Sequence, residues 1–351
     1  MKLVALTGPP LVGKSTLFAM LTGKAPSPEN VLRYPLRPDR APFELPDPRL
    51  SLLCREMKPG KCTPARLEVM DLPGAGEGTE RKLRNALAEE LRRADLICLV
   101  VGLYGGAAPD GGIITRLVEE FVLGDLALLE GVTAPLRKRA MAKEEGAEEL
   151  LELVLRVRGA LEEGRRVAEM GLSPREEQSL SQYGLLSQKP LMVVANLGED
   201  GGEAEGLARE AGKLGVPLLA FNVELEREIE ELAPEEQAEF RAGFGIEGDP
   251  REQFAHTALG ALGLICFYTV SQKEIRAWLL PEGATALEAA GTIHTDMAES
   301  FIKAQVIGFE ELKKLHFSLK EARETGKLRM EGKDYPVRDG EIIQIMFGRH
   351  L

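Results

Sequence analysis

Short runs of Val, Leu, Ile and Ala recur along the first two-thirds of the chain, separated by stretches of helical periodicity. Lys2–Thr7, Arg66–Met70, Asp95–Val101, Pro190–Ala195 and Pro217–Phe221 read as strands covered on both faces. Strands alternating with helices predict an α/β fold with a mostly parallel sheet. Several of these runs end at polar or glycine-bearing turns, and ligands collect at such carboxyl ends in open sheets.

The rhythm breaks between about Gly124 and Ser181, where no strand pattern occurs. Leu150, Val154, Val157 and Leu161 fall at helical spacing, with Leu151 and Leu155 beside them. Leu126, Leu129, Val132 and Leu136 mark a preceding helix, which Pro135 is expected to kink or restart. The segment is long and highly charged. It is read as an antiparallel helical hairpin inserted into the sheet domain, in preference to ordinary surface helices of that domain. An acidic helical linker follows, from Glu224 to Phe244, ending in Gly243-Phe244-Gly245 and Gly248-Asp249-Pro250.

A third pattern starts at Leu264. Ile265, Phe267, Ile275, Ala277 and Leu279 have strand character, as do Lys327–Met330, Tyr335–Val337 and Ile342–Phe347 between Glu-Gly and Asp-Gly turns. A small α+β domain fits. The expected organisation is a nucleotide-binding domain from 1–123 and 182–263, a hairpin over 124–181 and a C-terminal domain over 264–351.

The totals agree with this division. A chain of 351 residues that is 44% hydrophobic can build two to three cores. No apolar run is long enough to span a bilayer, and the few apolar residues after Met1-Lys2 do not make a signal peptide. Cys54, Cys62, Cys98 and Cys266 show no zinc or redox spacing, so a reducing cytoplasm is expected. The net charge of −12 argues against a general nucleic-acid binder. Residues 264–351 are nearly balanced, with 12 basic and 13 acidic side chains, so any RNA contact is expected there or at local basic clusters.

The chemistry concentrates at Gly8–Ser15, Gly-Pro-Pro-Leu-Val-Gly-Lys-Ser, which fits the P-loop pattern between a strand and a helix. Gly8 and Gly13 permit the backbone path. The stretch from Leu11 through Val12 to Thr16 should turn N–H groups and a helix N-terminus toward a phosphate chain. Lys14 would neutralise the β- and γ-phosphates, and the Ser15 hydroxyl would ligate Mg²⁺. Asp71-Leu72-Pro73-Gly74 ends the next strand, where Asp71 can hold Mg²⁺ through water and Gly74 can offer its N–H to a γ-phosphate. Asn196-Leu197-Gly198-Glu199 ends a later strand, where GTPases carry Asn-Lys-x-Asp to read guanine. Leu197 for Lys and Glu199 for Asp should remove guanine selection.

These three elements, the helical hairpin and the C-terminal third together resemble the YchF/Obg-like ATPase family. The C-terminal match is the closest. Lys273-Glu274-Ile275-Arg276-Ala277-Trp278, Ala289-Ala290-Gly291-Thr292-Ile293-His294-Thr295-Asp296 and Glu331-Gly332-Lys333-Asp334-Tyr335 are similar to that family's TGS domain. Tyr34-Pro35 and Pro46-Asp47-Pro48-Arg49-Leu50 match as well. The resemblance covers essentially the whole chain. It implies a P-loop G-domain-like sheet with an inserted hairpin plus a β-grasp TGS domain. It also implies a cytoplasmic protein that binds ATP (or ADP) with Mg²⁺, hydrolyses weakly, and has the ribosome or a ribosomal subunit as partner.

Departures from the family pattern bear on turnover. The family's first switch, Tyr-Pro-Phe-x-Thr, brings a Thr to Mg²⁺. Here Tyr34-Pro35-Leu36-Arg37-Pro38 ends in a residue without a hydroxyl, and no Ser or Thr occurs from Pro28 to Leu50. The second switch, Gly74-Ala75-Gly76-Glu77-Gly78, is shorter than the family's, and Ala75 stands where Ras-like enzymes carry Gln, an apolar residue being normal there for this family. The family's loop His is absent from Tyr104–Gly112, since the four histidines are His256, His294, His316 and His350, all far along the chain from that loop. Asn222-Val223-Glu224 replaces its Ser-Ala-Lys turn. Arg33, Arg37 and Arg40 are read as a solvated basic loop rather than a substitute positive charge. His294 is left open between a surface site and a structural role.

The expected function is a slow ATPase on or near the ribosome. The rival is a nucleotide-responsive binding module with little or no hydrolysis. A GTPase is weakened by Glu199, and a kinase by the lack of a recognisable acceptor-binding segment.

Overall fold

The computed structural model describes residues 1–28, 30, 32–76, 78–104, 112–198, 204–243 and 248–348. Twelve strands among them form two six-stranded sheets. They are β1 Leu3–Thr7, β2 Asp39–Glu44, β3 Cys62–Thr63, β4 Arg66–Asp71, β5 Leu96–Leu103 and β6 Leu191–Leu197, then β7 Leu218–Phe221, β8 Leu264–Val270, β9 Ile275–Pro281, β10 Phe301–Gly308, β11 Arg329–Glu331 and β12 Glu341–Phe347.

The first sheet has the order β2-β4-β1-β5-β6-β7. The pairs β1–β4, β1–β5, β5–β6 and β6–β7 are parallel. Its central strands are buried on both faces, so β5 and β6 read as unbroken apolar runs rather than alternating ones. One core packs Met70, Ile97, Leu99 and Val193 against Leu87 and Leu91 of helix Arg81–Arg93 and Val118 and Phe121 of helix Ile113–Met141. The five strands expected in this region are all present. β2 was not expected, because Pro42 interrupts an alternation in which only Ala41 and Phe43 are buried, and Pro is tolerated at a sheet edge.

The helical hairpin is present, and its first helix begins earlier than the sequence suggests. Ile113–Met141 is one helix, followed antiparallel by Ala147–Glu162. Of the kink or restart expected at Pro135, there is no restart: the helix runs through that residue. Pro135 and Gly131, whose carbonyl loses its partner, both sit on the exposed face, where water can satisfy the oxygen. The hairpin has its own core of Leu129, Leu136, Val154, Val157 and Leu161. Its base is fastened by buried Asp125, which accepts from Arg92 Nη1 at 2.7 Å and from the backbone N–H of Leu186 and Ser187 at 3.1 and 2.7 Å.

The second sheet has the order β11-β10-β12-β8-β9-β3. β8–β9 and β10–β12 are antiparallel hairpin-like pairs, and the central strands β12 and β8 run parallel. With helix Ala286–Ile293 across one face, this is a β-grasp. The helix presents Ala286, Ala289 and Ala290 to the sheet, and their small side chains let it sit close over Phe267, Val306 and Ile343. The expected strand at Tyr335–Val337 is a loop with a single bridge, Thr285 to Pro336. β10 was not expected, because its alternation is broken by a bulge between Phe301 and Lys303.

The chain divides into two compact units, 1–41 with 68–247, and 42–67 with 248–351. Segments 42–67 and 248–263, placed with the nucleotide domain from sequence, therefore cluster with the β-grasp. The reason is strand addition: Cys62 and Thr63 of β3 pair in parallel with Ile275 and Arg276 of β9. Asp47, which caps helix Pro48–Met57, also accepts a hydrogen bond from the buried Tyr268 hydroxyl at 2.5 Å. The same pairing corrects the reading of the cysteines. Cys62 is carried back beside the end of helix Pro48–Met57 and forms a disulfide with Cys54, while Cys98 and Cys266 are buried thiols. Among the described residues no helix is long and apolar enough to cross a membrane.

Candidate nucleotide site

The site lies at the carboxyl ends of β1, β4, β5 and β6. Helix Lys14–Thr22 starts directly after the loop, and its first intrahelical bond runs from Leu17 N to Gly13 O. The N–H groups of Lys14, Ser15 and Thr16 therefore fall in a first turn where the helix supplies no acceptor. Gly13 caps the helix at φ 90°, and a Cβ there would stand 2.2 Å from Asn196 Nδ2. A Cβ on Gly8 would stand 2.3 Å from the carbonyl oxygen of Val100 in β5. Leu11 forms the apex, with φ 62° and its side chain 92% exposed.

Lys14 is buried, and its Nζ donates to the Pro9 carbonyl at 2.6 Å. Burial pulls its pKa down to about 8, opposed by the charge of Asp71. Ser15 Oγ donates to Asp71 Oδ2 at 2.6 Å, so the two residues expected at a metal are already joined. Asp71 is fully buried. Burial holds its carboxyl above the usual range, against the Ser15 hydrogen bond and the Lys14 charge. Its second oxygen, Oδ1, has no hydrogen-bond partner among the described residues. Gly74 follows in the turn after β4, where a Cβ would come within 2.6 Å of the Pro10 backbone. Only glycine lets that turn lie against the loop.

An orphaned buried carboxylate oxygen beside a serine hydroxyl fits Mg²⁺, which is held by one or two carboxylates together with substrate phosphates. Ser15 gives its proton to Asp71 and keeps its lone pairs for a cation. Among the described residues no cluster of three or more His, Cys, Asp or Glu side chains competes as a metal site.

Asn196 is buried, and both ends of its amide are used. Nδ2 donates to the Val12 carbonyl at 3.1 Å, and Oδ1 accepts from Val223 N at 3.0 Å. It thus ties the loop after β1 to the turn after β7. Asn222 caps helix Val223–Glu230, accepting from Glu224 N and Leu225 N at 3.1 and 3.0 Å. Beside this tie lies a cavity of about 290 Å³, bordered by Gly13, Thr16, Asn196, Leu197, Asn222 and Glu224. Its lining includes loop residue Gly13 and Asn196, so a base could be held there with phosphates at the loop. Glu199 and the Gly105–Gly111 loop lie outside the described residues.

Two residues at the site were missed from sequence. Tyr104, at the end of β5, borders the same cavity and donates its hydroxyl to the Leu11 carbonyl, propping the loop apex. Asn30 reaches Asp71 Oδ2 with its Nδ2 at 2.7 Å. It could have been noticed as the only side-chain amide between Pro28 and Leu50. Other expected groups lie elsewhere. Arg40 pairs with Glu90 at 2.8 Å, and Arg33 and Arg37 are exposed. Pro38 is half-buried, and Ala75 packs against the sheet core. His294 caps the short helix Thr295–Glu299 through Nδ1, which accepts from Asp296 N at 3.2 Å, a structural task.

Comparison with known proteins places this geometry. A family model described as "50S ribosome-binding GTPase" matches residues 3–122, and one named YchF-GTPase_C, described as a protein of unknown function, matches 264–348. The chain is 33% identical over 360 residues to the "Ribosome-binding ATPase YchF" of Haemophilus influenzae, covering 97% of this chain and 98% of the relative. It is 30% identical to the protein of the same name from Bacillus subtilis, at the same coverage. The solved structure of the Schizosaccharomyces pombe YchF GTPase superposes with a TM-score of 0.82 at 25% identity, covering 98% of this chain and 97% of that one. With both units matched in order and nearly to full length, the chain belongs to the YchF family.

Proposed function

We propose that this protein binds Mg²⁺·ATP, hydrolyses it slowly, and does so in association with the ribosome in the cytoplasm. The observation that carries the reading is the half-buried Ser15 bonded to buried Asp71, with an orphaned carboxylate oxygen, beneath a loop that holds Lys14. Lys14 and the N–H groups of the first helical turn bind and orient the phosphate chain. Bound Mg²⁺ would neutralise charge on the β- and γ-phosphates. Gly74 N–H is the chain's own group for the γ-phosphate, and Asn196 keeps the base cavity in register with the loop.

Relatives named ribosome-binding ATPases support both the substrate and the partner. The fission-yeast structure is titled a GTPase, so base choice is the sharpest test. Leu197 borders the cavity where a guanine-reading protein carries Lys. Each buried hydrogen bond to the base that is missing removes about 1 kcal/mol, so ATP should bind several-fold more tightly than GTP. Calorimetric titration with ATP, ADP and GTP checks this, and equal or tighter GTP binding overturns it.

Slow turnover follows from Pro38 and Ala75, which put no polar group where switch residues position water and metal. Each missing group of this kind costs about tenfold to a thousandfold in rate, without simple additivity. The same two residues favour the second reading, a nucleotide-responsive binder with almost no turnover. Phosphate release measured with and without ribosomes separates the two readings. Co-sedimentation with ribosomes, with and without ATP, tests the partner, and failure under both conditions at low salt removes it. The nearly balanced C-terminal domain should bind bare RNA only weakly.

A further inference from the structure

The segment that should bring a hydroxyl to the metal contains none, yet one of its side chains reaches the buried carboxylate. Asn30 Nδ2 donates to Asp71 Oδ2 at 2.7 Å, on the same oxygen that accepts from Ser15 Oγ at 2.6 Å. Two donors on one oxygen fix the carboxylate's orientation and leave Oδ1 outside both bonds. Asp71 Oδ1 and Asn30 Oδ1 are both buried, and neither has a hydrogen-bond partner among the described residues. Buried polar atoms are rarely left so unless a ligand, ion or water completes them. Here two orphaned oxygens belong to side chains that are bonded to each other, next to a hydroxyl. Oxygens of this kind, one anionic and one neutral, suit a hard cation that keeps part of its water shell.

We propose that Asn30 is a positioning residue of the Mg²⁺ site: its amide N–H holds Asp71, and its carbonyl oxygen accepts from the metal's water shell. It would thereby do part of what a switch hydroxyl does in a chain where position 38 is proline. This rests on reading the site as one for Mg²⁺·nucleotide. The amide supplies both the donor and the acceptor. Alanine loses both functions, whereas aspartate keeps an oxygen, loses the N–H and adds a second negative charge beside Asp71.

The test is the affinity for a fluorescent, non-hydrolysable ATP analogue, measured in excess Mg²⁺ and again in EDTA. The ratio of the two dissociation constants reports the metal's contribution without any turnover. Partners that orient metal ligands are worth about 10- to 100-fold in metal affinity, so Asn30→Ala should cut the ratio by about tenfold or more while leaving the metal-free affinity unchanged. Asn30→Asp should raise the ratio, because the added charge repels polyphosphate only when no metal screens it. A merely structural Asn30 would weaken binding equally in both conditions, and that result overturns the proposal. So do shifts of the ratio in the same direction in both variants. If Asn30→Ala does not fold, Asn30→Asp alone decides by the sign of its effect. A wild-type protein that binds the analogue equally well with and without metal overturns the role of Asn30 but leaves nucleotide binding standing. No binding in either condition overturns the nucleotide reading itself.

Discussion

At the scale of single residues, Lys14 carries the strongest prediction. In the free protein its pKa is lowered to about 8, chiefly by burial. A polyphosphate beside it favours the charged form, so the bound state holds the proton more tightly than the free state. The contribution to affinity is complete below the free-state pKa and is lost as pH rises through it. Nucleotide affinity should therefore be flat near pH 7 and fall above pH 8, by up to about tenfold per unit. Calorimetry in two buffers of different ionisation heat should find almost no proton uptake near pH 7 and uptake approaching one proton at about pH 9. An affinity that rises with pH, or proton release, contradicts this account. Lys14→Ala should abolish or severely weaken binding at every pH. Pro38→Thr should strengthen the Mg²⁺ dependence, provided the short switch reaches the metal, and a titration of Mg²⁺ against bound analogue checks it.

At the scale of elements, two fastenings can be tested apart from the site. The hairpin is anchored by Asp125, whose carboxylate holds Arg92 and two backbone N–H groups without any exposure to water. Asp125→Ala leaves the Arg92 guanidinium with only the Gly184 carbonyl and no counter-charge, and two buried backbone donors unpaired, which should cost about 3 kcal/mol or more in chemical denaturation. Nucleotide affinity should barely change, and a loss below about 1 kcal/mol would mean that water replaces the carboxylate. The second fastening is the disulfide between Cys54 and Cys62, eight residues apart in sequence. Closing so short a loop is worth about 2–3 kcal/mol by chain entropy. Cys54→Ser should lower the melting temperature of the oxidised protein, and dithiothreitol should lower that of the wild type to the same point. An additive effect of the two would show that the bond is not what the mutation removes.

At the scale of the molecule, the β-grasp is completed from outside its own stretch of sequence. Tyr268 and Phe267 have no exposure, and the helices Pro48–Met57 and Pro250–Ala261 contact β9 and β8. Phe254 of the second helix is itself fully buried, edge-on to Phe43. A fragment of residues 264–351 should therefore expose one apolar sheet face, bind 8-anilinonaphthalene sulfonate and melt well below the same region in the full chain. Adding back 248–263 should recover part of the difference, and 42–67 the rest. Equal melting of the short fragment and the full chain would show that these segments only decorate the sheet.

The sequence by itself determined the parts whose signal is local. A parallel strand buried on both faces must be an unbroken apolar run, so β1, β5 and β6 were legible at once, and the short apolar stretches of β4 and β7 between turns followed the same rhythm. A phosphate loop needs glycines and a lysine at fixed spacing, so Gly8, Gly13, Lys14 and Ser15 were legible, as was Asp71 at its strand end. The edge strand β2, the bulged β10 and the unbroken helix through Pro135 were hidden, because each depends on which face meets solvent. Tertiary structure alone decided the partners of distant side chains. Asn30, Tyr104 and the Cys54–Cys62 pair carry no local pattern, and each acquires its role from strand order. β4 beside β1 sets Asp71 within reach of Ser15 and Asn30, β5 beside β1 puts Tyr104 under Leu11, and β3 beside β9 turns Cys62 back to Cys54. Periodicity along a chain records which faces are buried, whereas contacts between segments tens to hundreds of residues apart exist only once the sheets have closed.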